Sequence, residues 1–295
     1  MKQTERGFLL LRSLLGDPER SVLSASQLRL LAVRMQSLQK PEQDRDLRES
    51  DFLRLGYGRD MARRITALLE DEELLDRYLQ RGRRLDCVPV TRVSEGYPLI
   101  LRQRLGLDSP GCLWAKGDLS ILQQPGISLV GSRELHPENR EFAAEAGYQA
   151  AKQGLVLISG NARGADREAQ NACLDAGGCV ISIVADELYK QPLRPRVLYL
   201  SEEDYETPFS AQRALSRNRC IHAMGRMTLV AQANLGRGGT WDGTSRNLRF
   251  GWSPVACFRD GSEASLELEM MGAFLVNRED LAELGSLAQG QTALF

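Results

Sequence analysis

Ile127-Ser128-Leu129-Val130-Gly131-Ser132-Arg133 and Leu155-Val156-Leu157-Ile158-Ser159-Gly160-Asn161-Ala162-Arg163-Gly164-Ala165-Asp166 are the two stretches that decide the fold. Each is a short apolar, β-branched run that stops abruptly at a polar turn containing glycine. A run of this length with no polar alternation predicts a strand buried on both faces. The same texture returns at Val180–Val184, Val197–Leu200, Met227–Val230 and Pro254–Phe258. Between the first three runs lie segments of about 20–25 residues, long enough for a helical crossover. Strands alternating with helices predict an α/β fold built on a doubly wound, mostly parallel sheet.

Working outward, residues 1–84 read as a small helical N-terminal domain. Leu28, Leu31, Met35 and Leu38 recur at helical spacing, as do Met61, Ile65, Leu68 and Leu69, with Pro41 breaking the two groups. Residues 85–285 form the α/β domain, and residues 286–295 are expected to fray as a tail.

Composition excludes several classes. The 295 residues are 42% hydrophobic and 26% charged, an ordinary globular balance. No apolar run approaches the ~18 residues of a membrane helix, so no membrane partner is expected. The six cysteines form no C-x-x-C pair, which argues against a zinc framework and for a reducing, cytoplasmic compartment. Walker loops, H-E-x-x-H and G-x-S-x-G are missing, and there are two histidines, His136 and His222. No catalytic residue, cofactor or metal is therefore assigned. Glu202-Glu203-Asp204 reads as a solvated acidic turn, and Trp241 and Trp252 as core.

The net charge of −1 conceals an uneven distribution. Residues 207–259 hold Arg213, Arg217, Arg219, Arg226, Arg237, Arg246, Arg249 and Arg259 against the single acid Asp242. Arginine carries a planar fork of donors suited to phosphate. In a doubly wound sheet, ligands sit beyond the carboxyl ends of strands, where turns lead into helices and unpaired N–H groups favour anions. Gly131-Ser132-Arg133 and Ser159-Gly160-x-x-Arg163-Gly164 have that form, with Asp166 placed to cap the following helix. Arg217-Asn218-Arg219 and Gly238-Gly239-Thr240 are weaker candidates; Trp241 occupies the third-glycine place of a dinucleotide fingerprint.

Several of these pieces occur in one order: Tyr97-Pro98, Trp114-Ala115-Lys116-Gly117, Val130-Gly131-Ser132-Arg133, Ser159-Gly160-x-Ala162-Arg163-Gly164-x-Asp166, Ser201-Glu202 and Arg217-Asn218-Arg219-x-Ile221. This string resembles the DprA/Smf family of DNA-processing proteins, a Rossmann-like superfamily. The resemblance implies a basic pocket for single-stranded DNA lined by Gly131, Ser132, Arg133, Ser159, Gly160, Arg163, Gly164, Arg217, Asn218 and Arg219. It also implies a homodimer and a RecA-type recombinase partner. Departures include Gln170 where the family has histidine, the reduced Gly238–Thr240 opening, and no winged-helix segment after the sheet. Two alternatives stand beside DNA binding. One is an antitoxin of a phage-defence pair that neutralises a toxin protein. The other is a phosphoribohydrolase-like nucleotide enzyme, whose Pro-Gly-Gly-x-Gly-Thr-x-x-Glu loop is matched here only by Gly238-Gly239-Thr240.

Overall fold

The structure is a computed structural model that describes residues 1–37 and 47–290. Leu38 and Pro41, which the sequence pattern uses to end the first helical group, lie outside the described residues. Helices come first: α1 (Gln3–Arg12), α2 (Ala25–Met35), α3 (Glu49–Arg54), α4 (Arg59–Glu70) and α5 (Glu72–Arg84). Then follow β1 (Cys87–Thr91), α6 (Leu99–Leu105), β2 (Cys112–Lys116), β3 (Gly126–Val130), α7 (Pro137–Lys152), β4 (Val156–Ser159) and α8 (Ala165–Asp175). The chain continues through β5 (Val180–Ile183), β6 (Val197–Ser201), α9 (Ala211–Met224), β7 (Thr228–Val230) and α10 (Gly238–Phe250). It closes with β8 (Val255–Phe258), α11 (Glu263–Met270), β9 (Phe274–Val276) and α12 (Leu284–Gly290).

The strands form one nine-stranded sheet in the order β1-β2-β6-β5-β4-β3-β7-β8-β9. From β6 to β9 every neighbouring pair is parallel, while β1–β2 and β2–β6 are antiparallel. The order reverses direction at β3, which pairs β4 on one side and β7 on the other. That is the topology of a doubly wound sheet. Every residue of β3, β4, β5 and β6 is buried. Alternate side chains serve opposite faces: Leu129, Leu157 and Val180 pack with Phe142 and Ala169, whereas Val156, Ile158 and Ile181 pack with Cys220 and Ile221. Each such aliphatic side chain contributes roughly 1.5–3 kcal/mol by leaving water.

Three strands are not read from the sequence. β1 carries Pro89, which cannot donate to a ladder and confines the strand to the sheet edge, where it lies. β9 has only three residues, too few for a pattern. β2 is wholly buried, yet the mixed run Cys112-Leu113-Trp114-Ala115-Lys116 shows no β-branched signal. Helix α12 runs to Gly290, with Leu284 buried and Leu287 packed on the core, while residues 291–295 lie outside the described ones.

The helical segment ends at Arg84, but its inner side is continuous with the sheet core. Leu9, Leu10, Leu75 and Tyr78 share a cluster with Cys87, Trp114 and Tyr199, whereas Leu31, Phe52 and Ile65 form a smaller outer core. Asp204, just after β6, locks the two together. Its carboxylate accepts from Ser13 Oγ at 2.6 Å, Leu14 N–H at 2.7 Å, Leu15 N–H at 3.2 Å and Trp114 Nε1 at 3.2 Å. Burial pushes its pKa up, and these donors oppose the shift. Glu202 pairs with Arg219 and Glu203 with Arg12, so the acidic turn is a structural junction and not a solvated loop.

Candidate functional site

Strand β3 delivers Gly131-Ser132-Arg133 and β4 delivers Ser159 through Gly164 to the same edge of the sheet. The two turns touch through backbone. Ala165 N–H donates to Ser132 O at 3.1 Å, and Ser132 N–H donates to Gln232 O at 3.0 Å beyond β7. Gly164 makes this approach possible: its φ is +79°, and a Cβ there would lie 2.6 Å from Arg133 O. Gln232 adds two more ties, accepting from His136 N–H at 2.9 Å and donating to Glu134 O at 3.1 Å. The crevice between β3 and β7 is therefore stitched shut, and the open cleft lies over the ends of β4 and β5.

That cleft encloses about 170 Å³ and is lined by Arg133, Gly160, Arg163, Asp186, Phe209 and Arg217, among others. Arg133 and Arg163 are exposed on its rim. Arg217 is buried at its wall, where its Nη1 donates to Gly160 O and Ile183 O. Its Nε is buried with no protein partner. A Cβ on residue 160 would sit 2.6 Å from Arg217 Cζ, so glycine at this position is what lets the guanidinium lie against the loop. Burial pulls the guanidinium below its ordinary pKa, with Asp166 and Asp186 pulling the other way; its high starting value keeps it cationic.

Asp166 does not cap α8. The residue at the cap is Gly164, and the Asp166 carboxylate turns back to accept from Gly160 N–H at 3.1 Å and Ala162 N–H at 3.0 Å. Burial raises its pKa, while Arg217 and these two amides lower it. Two loop amides suited to an anion are thus already occupied, and positive charge in the cleft comes from arginine side chains.

The structure brings together only part of the residue set implied by the sequence. Gly160, Arg133, Arg163 and Arg217 meet on the cleft. Gly131, Ser132 and Gly164 form the loop frame behind it, and a Cβ on Gly131 would crowd Ala165 and Ala231. Ser159 is fully buried, its Oγ accepting from Gln170 Nε2 at 2.6 Å. The Arg217-Asn218-Arg219 segment is helical, so consecutive side chains diverge by about 100° and residues two apart do not share a face. Arg219 consequently points away and pairs with Glu202 at 2.5 Å. Asn218 donates to Gly239 O at 3.0 Å and holds the start of α10. Gly238, Gly239 and Thr240 open that helix and do not line the cleft.

One residue absent from the sequence-derived set is Phe209. It is 57% exposed at the cleft beside the arginines. A signal existed: Ser210 caps α9, so Phe209 holds the position whose usual staple partner is the fourth helical residue. Here that residue is Ala214, too small to cover a phenyl ring.

A doubly wound sheet whose strand-to-helix turns carry an arginine-lined cleft beside an exposed ring defines a Rossmann-like protein. More narrowly, the chain belongs to the DNA recombination-mediator protein A family, whose model matches residues 89–283. It is 30% identical over 142 residues to the DNA processing protein DprA of Streptococcus pneumoniae, covering 44% of this chain and 50% of that one. The corresponding Bacillus subtilis protein is 27% identical over 172 residues, 54% of this chain and 55% of that one. The chain thus spans about half the length of the curated relatives it matches. Among solved structures, the DNA processing protein A of Streptococcus pneumoniae superposes with a TM-score of 0.73 at 23% identity, covering 96% of this chain and 98% of that one. A Helicobacter pylori homologue, described for its single-stranded DNA binding mode, gives 0.56 at 22% identity over 69% and 96% of the two chains. Both structures confirm the fold.

Proposed function

We propose that this protein binds single-stranded DNA through the cleft over β4 and β5, holding phosphates with Arg133, Arg163 and the Arg217 guanidinium at the cleft wall. The observation that carries the reading is Phe209. An exposed ring set among arginines offers an unpaired base a stacking surface worth about 1–3 kcal/mol, which a base inside a duplex cannot use. Family membership and the Helicobacter pylori homologue's described single-strand binding support the same assignment.

The reading is of a binding site. The lining offers cations, one ring and the carboxylate of Asp186, whose Oδ1 accepts from Gln191 at 3.1 Å. His222 is buried away from the cleft and held near a pKa of about 3 by desolvation. The glycines matched to a phosphoribohydrolase loop lie on α10, off the cleft, and Asp242 there faces Arg246 at 3.9 Å. A homodimer and a RecA-type recombinase partner belong to the same proposal, on family grounds alone.

The test is a salt-titrated anisotropy assay with single- and double-stranded oligonucleotides of one length. Three phosphates held by three arginines give a slope of log K against log salt of about −2 for the single strand. Preference for duplex, or affinity insensitive to salt, would overturn the assignment.

A further inference from the structure

Asn161 separates the arginine cleft from a second depression of about 330 Å³ and lines both. It is a non-glycine residue with φ of +64°, a left-handed conformation that asparagine tolerates best. Its Nδ2 donates to Gln191 Oε1 at 3.3 Å, so the junction is held by a cross-groove hydrogen bond. Beyond it, the depression lies between α8 and the segment that leads into β6.

The chemistry of this groove continues that of the cleft. Arg167 and Arg194 stand exposed on its two banks, and neither has an ion-pair partner among the described residues. Arg167 follows Arg163 by four residues. The floor is apolar, made by buried Val197 and Tyr199. Gln170 borders it with its Nε2 fixed by Ser159 Oγ at 2.6 Å, leaving its carbonyl oxygen as an oriented acceptor. From Arg167 to Leu174 the helix bank rises roughly 10 Å, more than a single phosphate needs.

We infer that this groove is the continuation of the nucleic-acid track: a strand entering at Arg133 and Arg163 crosses Asn161 and lays further phosphates between Arg167 and Arg194. The inference rests on the single-strand reading of the first cleft. It extends that reading with a second subsite for the same polymer.

The test compares oligothymidylates of about four and about twelve nucleotides, within the range of single-strand site sizes, on the full chain and on Arg167→Ala/Arg194→Ala. Arg249→Ala, an exposed arginine on α10, serves as the charge control. Expected is an unchanged Kd for the short strand, a roughly tenfold weaker Kd for the long one, and a salt slope for the long strand reduced by about 1.4. The control variant leaves both affinities intact. Equal weakening of both lengths, equal loss in the control, or no loss with the long strand overturns the second subsite. If the unaltered protein binds neither strand, the cleft assignment itself fails, a result distinct from these.

Discussion

Alanine at Arg217 separates what this side chain does for the fold from what it does for a ligand. Arg217 is buried, and its Nη1 serves two carbonyls, Gly160 O and Ile183 O. Hydrogen bonds from a charged donor contribute about 1.5–3 kcal/mol each. Truncation also deprives buried Asp166 of its nearby cation, and breaking buried charge partnerships typically costs about 3–5 kcal/mol. Because these terms overlap, the expected destabilisation is about 4 kcal/mol, a large part of a domain's total stability. For a chain of 295 residues that lowers Tm by roughly 6–7 °C. Arg133→Ala and Arg163→Ala, on the exposed rim, are expected to shift stability by less than about 0.5 kcal/mol. Thermal unfolding followed by circular dichroism, beside anisotropy with a single strand, measures both properties. If Arg217→Ala unfolds within about 1 °C of the unaltered protein, the buried-strut account of this residue is wrong.

Further outcomes follow from single features. Phe209→Ala should weaken single-strand binding by about 1–3 kcal/mol with Tm unchanged, and equal affinity would remove the ring from the site. Gly164→Ala places a side chain at φ +79° against Arg133 O, so loss of at least about 1 kcal/mol in urea unfolding is expected, together with weaker binding as the two loops part. His222 is buried, with a folded pKa of about 3 against an ordinary 6.5. The unfolded chain therefore binds its proton first, and stability falls as pH drops below about 6.5. Between pH 6.5 and 5 this amounts to about 2 kcal/mol. His222→Gln should flatten that limb of the Tm–pH curve; an unchanged curve would assign the loss to other groups.

Most of the legible strands are those buried on both faces; β2 is equally buried but was hidden by its mixed Cys112–Lys116 run, which lacks a β-branched signal. Strands β3, β4 and β5 are enclosed on both faces, so their sequences are dominated by Ile, Leu and Val with a single serine in each. β1 was hidden by Pro89, and β9 by its brevity; both lie at sheet edges, where the demand for apolar residues is weakest. The site divides along a similar line. Arg133, Gly160 and Arg163 follow their strands directly, so strand position alone fixes where they go. Arg217 and Arg219 sit in one helix, and which way each points depends on the helix rotation against β4 and β5. Their adjacency suggested a shared role, yet Arg219 turns to Glu202. Asp166 misled for a related reason: its position suits a cap, but the tight Gly160–Gly164 loop presents two amides that compete for the carboxylate and win.

In the proposed binding mode, exposed arginines on the cleft over β4 and β5 hold the phosphates of a single strand. The test is Arg133→Ala/Arg163→Ala, titrated with salt against an oligothymidylate of about four nucleotides, too short to reach Arg167 and Arg194. Expected is a folded protein whose slope of log K against log salt falls from about −2 to about −0.7, with affinity lost most at low salt. A slope unchanged by the double substitution would contradict it and place the strand elsewhere on the molecule.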